Sequence, residues 1–268
     1  MELDWFYKNF KSGDFMNLIM GIFVFICGLI FGSFFNVCIF RIQKGESIAF
    51  PPSHCTSCDN ELKWYDLVPV LSYLFLKGKC RNCKEHISLR YPIVELVTGI
   101  LFYLVFLKFG IDILTIKFIV LVSLLLVIGM IDFDTTDVYF STTATGMSAG
   151  VIFILIGVYF KTNVIPFILG GLLGGSIIAI IILTTKGMGW GDAEICLLCG
   201  LFLGWKLTVV MLMLSFVLGG IIGIILIALK IKSRKDYIPF GPFITIAAII
   251  TVFCGQNLMN LYFSMIIR

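Results

Sequence analysis

MNLIMGIFVFICGLIFGSFFNVCIF, Met16 to Phe40, runs 25 residues without a charged side chain. As a helix it would be longer than the roughly 30 Å hydrocarbon core of a bilayer. The run is also too long for a signal-peptide core of roughly 7 to 15 residues, and no small-x-small cleavage pattern follows it. It is therefore expected to be a retained first membrane span.

The rest of the chain agrees with that reading. Of 268 residues, 59% are hydrophobic and 13% charged, and the mean hydropathy is +1.05. A soluble domain carries about 25% charged residues, so composition alone predicts an integral membrane protein. The net charge of +4 is not gathered into a basic stripe, and no nucleic-acid partner is expected.

Mostly apolar stretches of about the length a spanning helix needs recur at 16–40, 92–109, 113–131, 142–160, 164–185, 193–204, 207–230 and 239–266. The predicted fold is an all-α polytopic membrane protein with about eight transmembrane helices, the sixth being short. The "GGLLGG" and "GGIIG" stretches of the fifth and seventh would allow close helix packing, or reflect ordinary glycine enrichment. The expected divisions are 1–40 (N-terminal segment and first span), 41–91 (a polar loop) and 92–268 (a membrane core).

Orientation follows from where Lys and Arg fall. If 41–91 is cytosolic, that side holds Arg41, Lys44, Lys63, Lys77, Lys79, Arg81, Lys84, Arg90, Lys186, Lys230, Lys232, Arg234 and Lys235. The other side holds Lys8, Lys11, Lys108, Lys117, Lys161, Lys206 and Arg268. The excess predicts 41–91 inside, both termini outside, and loops 132–141 and 186–192 inside. The placement of the C-terminal half depends on eight crossings, since merging the sixth and seventh spans would move it.

The polar loop carries Cys55-Thr-Ser-Cys58 and Cys80-Arg-Asn-Cys83. Two CxxC pairs suit a tetrahedral structural zinc in a ribbon-like hairpin, so Cys55, Cys58, Cys80 and Cys83 are the candidate ligands. A loop with so little apolar content would draw folding energy from the metal. Disulfides, redox chemistry or bare thiols are the alternatives, and His54 and His86 flank the site as alternative ligands. Cys27, Cys38, Cys196, Cys199 and Cys254 lie in apolar runs, and packing is the expected role even for the Cys196–Cys199 pair.

Two acidic stretches end apolar runs on the same predicted face: IDFDTTD, Ile131 to Asp137, and KGMGWGDAEI, Lys186 to Ile195. A carboxylate at the edge of a bilayer is costly and often functional. Two such groups brought together could share a proton, one activating water while the other protonates a leaving group. Gly189 and Gly191 permit positive φ and remove bulk beside Asp192, so a substrate backbone could approach. On spacing alone, a solvated aspartate in a glycine turn is the competing reading. A cation pathway and a zinc-bearing scaffold are further alternatives.

The blocks GSFFNVCIFRI, GESIAFPPSHCTSCDNELKWYDLVPVLSYLFLKGKCRNC, ISLRYPIVELVTG, IDFDTTD, KGMGWGDAEI and IPFGPF together resemble the type IV prepilin peptidases, bacterial GxGD membrane aspartyl proteases. The resemblance covers nearly the whole chain after about residue 25. It implies cleavage of the basic leader of prepilins or pseudopilins after a glycine, at the cytosolic face of the bacterial inner membrane. It also implies N-methylation of the new terminus with S-adenosylmethionine, an activity associated with the cysteine loop.

Carried over, the catalytic carboxylates are Asp132 and Asp192, with Asp134 in reserve for the first. Asn36, Arg41, Glu46 and Glu95 are candidate cofactor contacts; Arg41 and Glu95 have helix anchoring as an alternative role. Two positions depart from the family. Tyr139-Phe140 stands where a Pro-Asp pair is frequent. Glu194 replaces a frequent lysine, and would shift local charge or face solvent.

Overall fold

The computed structural model describes residues 14–185, 187–231, 233 and 238–266. Segment 1–13 and Lys186, Lys232, Arg234, Lys235 and Arg268 lie outside the described residues, so part of the charge count has no structural counterpart. The elements are α1 (Asp14–Lys44), a 3-10 turn (Trp64–Asp66), α2 (Leu71–Phe75), α3 (Arg90–Phe109), α4 (Ile113–Thr135), α5 (Phe140–Tyr159), α6 (Ile165–Thr185), α7 (Trp190–Leu203), α8 (Trp205–Ala228) and α9 (Gly241–Ile266). Strand pairing among the described residues is limited to two isolated bridges in the cysteine loop.

Among the described residues, seven helices are long and apolar enough to cross a membrane. Every expected span has its helix, but the sixth, α7, has only 14 residues. At 1.5 Å per residue it extends about 21 Å, less than the hydrocarbon core. Gly204, at φ +79°, ends it, and α8 starts at the next residue.

The chain forms two compact units, Met1–Thr115 and Ile116–Arg268. In the first, α1 packs along α3. The helices meet at glycine: a Cβ on Gly28 would sit 2.7 Å from Gly99 Cα, and one on Gly32 would sit 2.7 Å from Glu95 Cα. The cysteine loop belongs to this unit.

In the second unit the short α7 is the centre, touching α5, α6, α8 and α9. The α6–α7 contact uses the predicted small residues. A Cβ on Gly170 would lie 2.5 Å from the Gly200 carbonyl, and one on Gly174 would lie 2.5 Å from that of Cys196. Gly220 and Gly223 of α8 face open space, so glycine there is not a packing device. Cys196 and Cys199 are fully buried in α7, in the packing role expected of them.

Candidate active site and metal centre

Helical spacing decides which carboxylates are buried. On α4, Leu121, Leu125 and Ile128 form an inward row, and Asp132 continues it at the next turn. Asp134 lies two residues on, about 200° around the helix, and is exposed, as is Asp137. On α7, Asp192 starts the row continued by Ile195, Cys199 and Phe202. Asp132 and Asp192 expose 3% and 4% of their surface and lie within electrostatic reach of one another.

Gly-Trp-Gly-Asp forms the first turn of α7. Gly189 is its N-cap and Asp192 is the third helical residue. The Gly189 N–H donates to Asp192 Oδ2 (3.3 Å), and the Asp192 N–H donates to the Gly189 carbonyl (3.1 Å). This is half of a capping box: the carboxylate at the third helical position reaches back to the N-cap N–H, and the N-cap, a glycine without a side chain, returns only its backbone carbonyl. Neither glycine uses positive φ: Gly189 has φ −82°, and Gly191 is absent from the positive-φ glycines. Gly191 is required for another reason, because a Cβ there would overlap the Val138 side chain.

A third segment completes the site. Gly241 opens α9 directly against Asp132, and a Cβ at Gly241 would overlap Asp132 Oδ2. The Gly241 N–H interacts with the Asp132 carboxyl group, yet it falls outside hydrogen-bond geometry with Oδ2. Buried Oδ2 is thus left without a hydrogen-bond partner. A buried acceptor of this kind calls for a proton or a polar ligand.

Sequence reasoning quoted IPFGPF but gave Gly241 no role. Gly-Pro at the start of an apolar run signals a helix N-terminus and could have pointed to it. Nothing local announces Val138. Glu194 is half-buried and accepts a hydrogen bond from the Thr143 hydroxyl (2.5 Å), so it does more than face solvent. Tyr139, at the departure from the family pattern, caps α5.

In the first unit, the Sγ atoms of Cys55, Cys58, Cys80 and Cys83 lie within 4.8 Å of one another. Zn–S bonds of 2.3 Å in a tetrahedron put sulfurs about 3.8 Å apart, and Cys55 and Cys83 are 3.8 Å apart. The residues therefore fit a tetrahedral metal. The two halves repeat one turn. Cys55 N–H donates to the Asn60 carbonyl and Asp59 N–H to that of Cys55, as Cys80 pairs with Glu85 and Lys84 with Cys80. Asp59 and Lys84 take matching left-handed conformations, φ 54° and 62°. Backbone N–H groups of Cys83 and Asn82 lower the Cys80 thiol to about 7, and that of Asn60 lowers Cys58, while, against the lowering by the Glu85 N–H, burial and the neighbouring sulfurs push Cys83 up to about 12. The backbone thus favours the thiolate at Cys80 and Cys58, and Cys83 would need a cation beside it to ionise. His54 and His86 pair through bridges to Glu61 and Lys79 and lie outside the cluster.

Beside the cysteines is a cavity of about 410 Å³, whose lining includes Asn36, Arg41, Glu46, Glu95, Cys55 and Cys80. Three of these polar groups also brace the loop. Arg41 donates to the carbonyls of Ser47, Ile48 and Pro51, and Asn36 to that of Tyr91. Glu95 accepts the Val70 N–H (2.7 Å). Arg41 and Glu95 thus line the cavity and hold the loop at the same time.

Residues 26–109 match the family model described as the bacterial peptidase A24 N-terminal domain, and residues 119–224 that of the type IV leader peptidase family. The chain is similar to the prepilin leader peptidase/N-methyltransferase of Pseudomonas putida, at 30% identity over 87% of this chain and 90% of that protein. It is 31% identical to the protein so named in Bacillus subtilis, over 90% of this chain and 97% of the relative. That of Myxococcus xanthus is 34% identical over 78% of this chain, a match spanning 64% of the relative. No solved structure matches. Two family models in sequence, and relatives aligned over nearly their full length, make the chain a member of the prepilin leader peptidase/N-methyltransferase family of membrane enzymes.

Proposed function

We infer that the chain is an aspartic endopeptidase that removes the leader of type IV prepilins or pseudopilins after glycine. The cut lies at the cytosolic face of the inner membrane. The observation that carries this reading is the pair of buried carboxylates, Asp132 and Asp192, meeting at adjoining ends of α4 and α7. Buried like charges resist joint ionisation, so the pair holds one proton between its members.

The ionised member takes a proton from water as that water attacks the scissile carbonyl. The protonated member supplies a proton to the reacting peptide. Gly189 holds one oxygen of Asp192 by its N–H, which fixes the carboxylate plane. Asp132 keeps Oδ2 open as the acceptor for water or the shared proton. The Lys and Arg excess on loop 41–91 supports the cytosolic placement.

In the first unit, the cavity is of ligand size and suits S-adenosylmethionine, whose sulfonium supplies an electrophilic methyl group. Carboxylates of Glu46 and Glu95 on its wall complement the cofactor's cationic groups, while Arg41 and Asn36 keep the wall in shape. The four-cysteine cluster would hold zinc as the structural closure of the same loop.

The test is incubation of the purified chain with a prepilin and S-adenosylmethionine, read by mass spectrometry. A product shortened to the residue after the leader glycine and heavier by one methyl group is expected. An intact substrate, or a cut elsewhere, would overturn the reading. A scaffold would tolerate asparagine at both aspartates, and a cation pathway would conduct ions without cleaving.

A further inference from the structure

The loop between α1 and α3 displays apolar side chains that its fold does not use. Trp64, Leu74 and Phe75 expose 79%, 64% and 83% of their surface. On α2 the division is by face. Ser72, Tyr73 and Leu76 line the cavity, while Leu71, Leu74 and Phe75, spaced i, i+3, i+4, point away from it. The 3-10 turn carrying Trp64 packs beside α2. An outward apolar face on a five-residue helix would be a liability in water.

The depth of α2 indicates what covers that face. Val70, immediately before α2, donates its N–H to Glu95. Its backbone is strained, φ 62° and ψ −49°, and the Leu71 N–H closes a three-residue turn on the Pro69 carbonyl (2.6 Å). Glu95 lies five residues inside α3, about 7.5 Å from its start. With 20 residues, α3 spans about 30 Å, the thickness of the hydrocarbon core with nothing to spare. The start of α2 is therefore pinned below the membrane end of α3, at the level of exposed Ile93, Leu96 and Val97. Interfacial helices sit about 5–10 Å into the headgroup–acyl boundary. Lys63 precedes Trp64 and Lys77 and Lys79 follow α2; all three are exposed, and amphipathic stems of this kind suit the headgroup level.

We propose that Trp64, Leu71, Leu74 and Phe75 form an interfacial anchor that seats the cysteine loop in the lipid headgroup–acyl boundary. The bilayer then becomes one support of the loop, with the Val70–Glu95 bond setting its depth. The apolar face of α2 continues the lipid-facing surface of α3.

The experiment uses the full chain in nanodiscs whose lipids carry bromine either near the top or near the end of the acyl chains. The Trp64 contribution is the difference in emission between wild type and Trp64→Phe, which removes the signals of Trp5, Trp190 and Trp205. Shallow bromines are expected to remove most of the Trp64 emission and deep bromines little. Insensitivity to both lipids, with quenching by aqueous acrylamide, would overturn the proposal. So would shielding from acrylamide that arises only when a prepilin is added, which would make the face a substrate surface. Phe75→Trp in the otherwise wild-type chain adds a second probe with the same expected depth profile, and covers the case in which Trp64→Phe fails to fold.

Discussion

The cysteine centre and the acidic pair differ in how far the chain must travel to make them. Each CxxC turn shapes itself through hydrogen bonds within six consecutive residues, and the two turns repeat the same backbone path. The acidic site needs the end of α4, the start of α7 and the start of α9, with Val138 wedged against Gly191. A local centre is damaged chiefly by changing its own residues or its ion. A centre assembled from three helices can be broken by a methyl group on a residue that touches no substrate.

The largest effect should come from the carboxylates themselves. Asp132→Ala or Asp192→Ala is expected to lower leader cleavage by about 10⁴-fold, the upper range for loss of acid–base catalysis. Methylation of a pilin supplied without its leader should persist, since its candidate residues lie in the other compact unit. Asp134→Ala should cleave at nearly the wild-type rate, because that side chain is exposed. Loss of activity in Asp134→Ala with retention in Asp132→Ala would reverse the assignment.

Next is the metal. Wild-type protein should carry one zinc per chain, and Cys80→Ser should carry none, as read by metal analysis of the purified chain. Cys55 and Cys80 also line the cavity, so methylation should fall further than cleavage. A wild-type chain free of zinc would remove the metal from the comparison and leave four thiols packed for another reason.

The glycines test the assembled centre. Gly191→Ala forces a methyl group into Val138, and Gly241→Ala forces one into Asp132 Oδ2. Displacements near 1 Å can cost about 10²-fold in rate, and a loss of that order in cleavage is expected for each. Val138→Ala should restore much of the loss in Gly191→Ala and nothing in Gly241→Ala. That coupling pattern separates local contact from general damage. Equal rescue of both, or of neither, would mean that the overlaps are relieved by movement of the helices.

Much of this molecule could be read from sequence because membrane spans and CxxC turns are local signals. The helix positions, the four clustered cysteines and both acidic stretches were legible. The inward face of α4 was not, because Leu121, Leu125 and Ile128 lie among equally apolar neighbours, and hydropathy has no period to show. Burial on that face therefore had to come from the structure, which separates Asp132 from Asp134. The contact that requires Gly191 was hidden for a related reason. A glycine before a carboxylate suggests conformational freedom, which Gly191 does not use, while the neighbour that requires it, Val138, is distant in sequence. The shortness of α7 was visible, but its place at the centre of the second unit was not.

The smallest effect is expected at Thr143, and it bears on why glutamate stands at position 194. Thr143 is fully buried on α5, and its hydroxyl donates to the half-buried Glu194 carboxylate on α7. Thr143→Val keeps the shape and removes the donor. Hydrogen bonds to charged groups contribute about 1.5–3 kcal/mol when buried, and partial access of water to Glu194 reduces this to about 1 kcal/mol. Thermal unfolding in detergent should shift down by a few degrees, Thr143→Ser should recover most of it, and cleavage should change by less than the glycine variants. Asp192 lies two residues from Glu194, about 200° around α7, so the bond steadies the helix without touching the acidic pair. A loss of cleavage as large as that of Gly191→Ala, at unchanged stability, would mean instead that Glu194 belongs to the assembled centre.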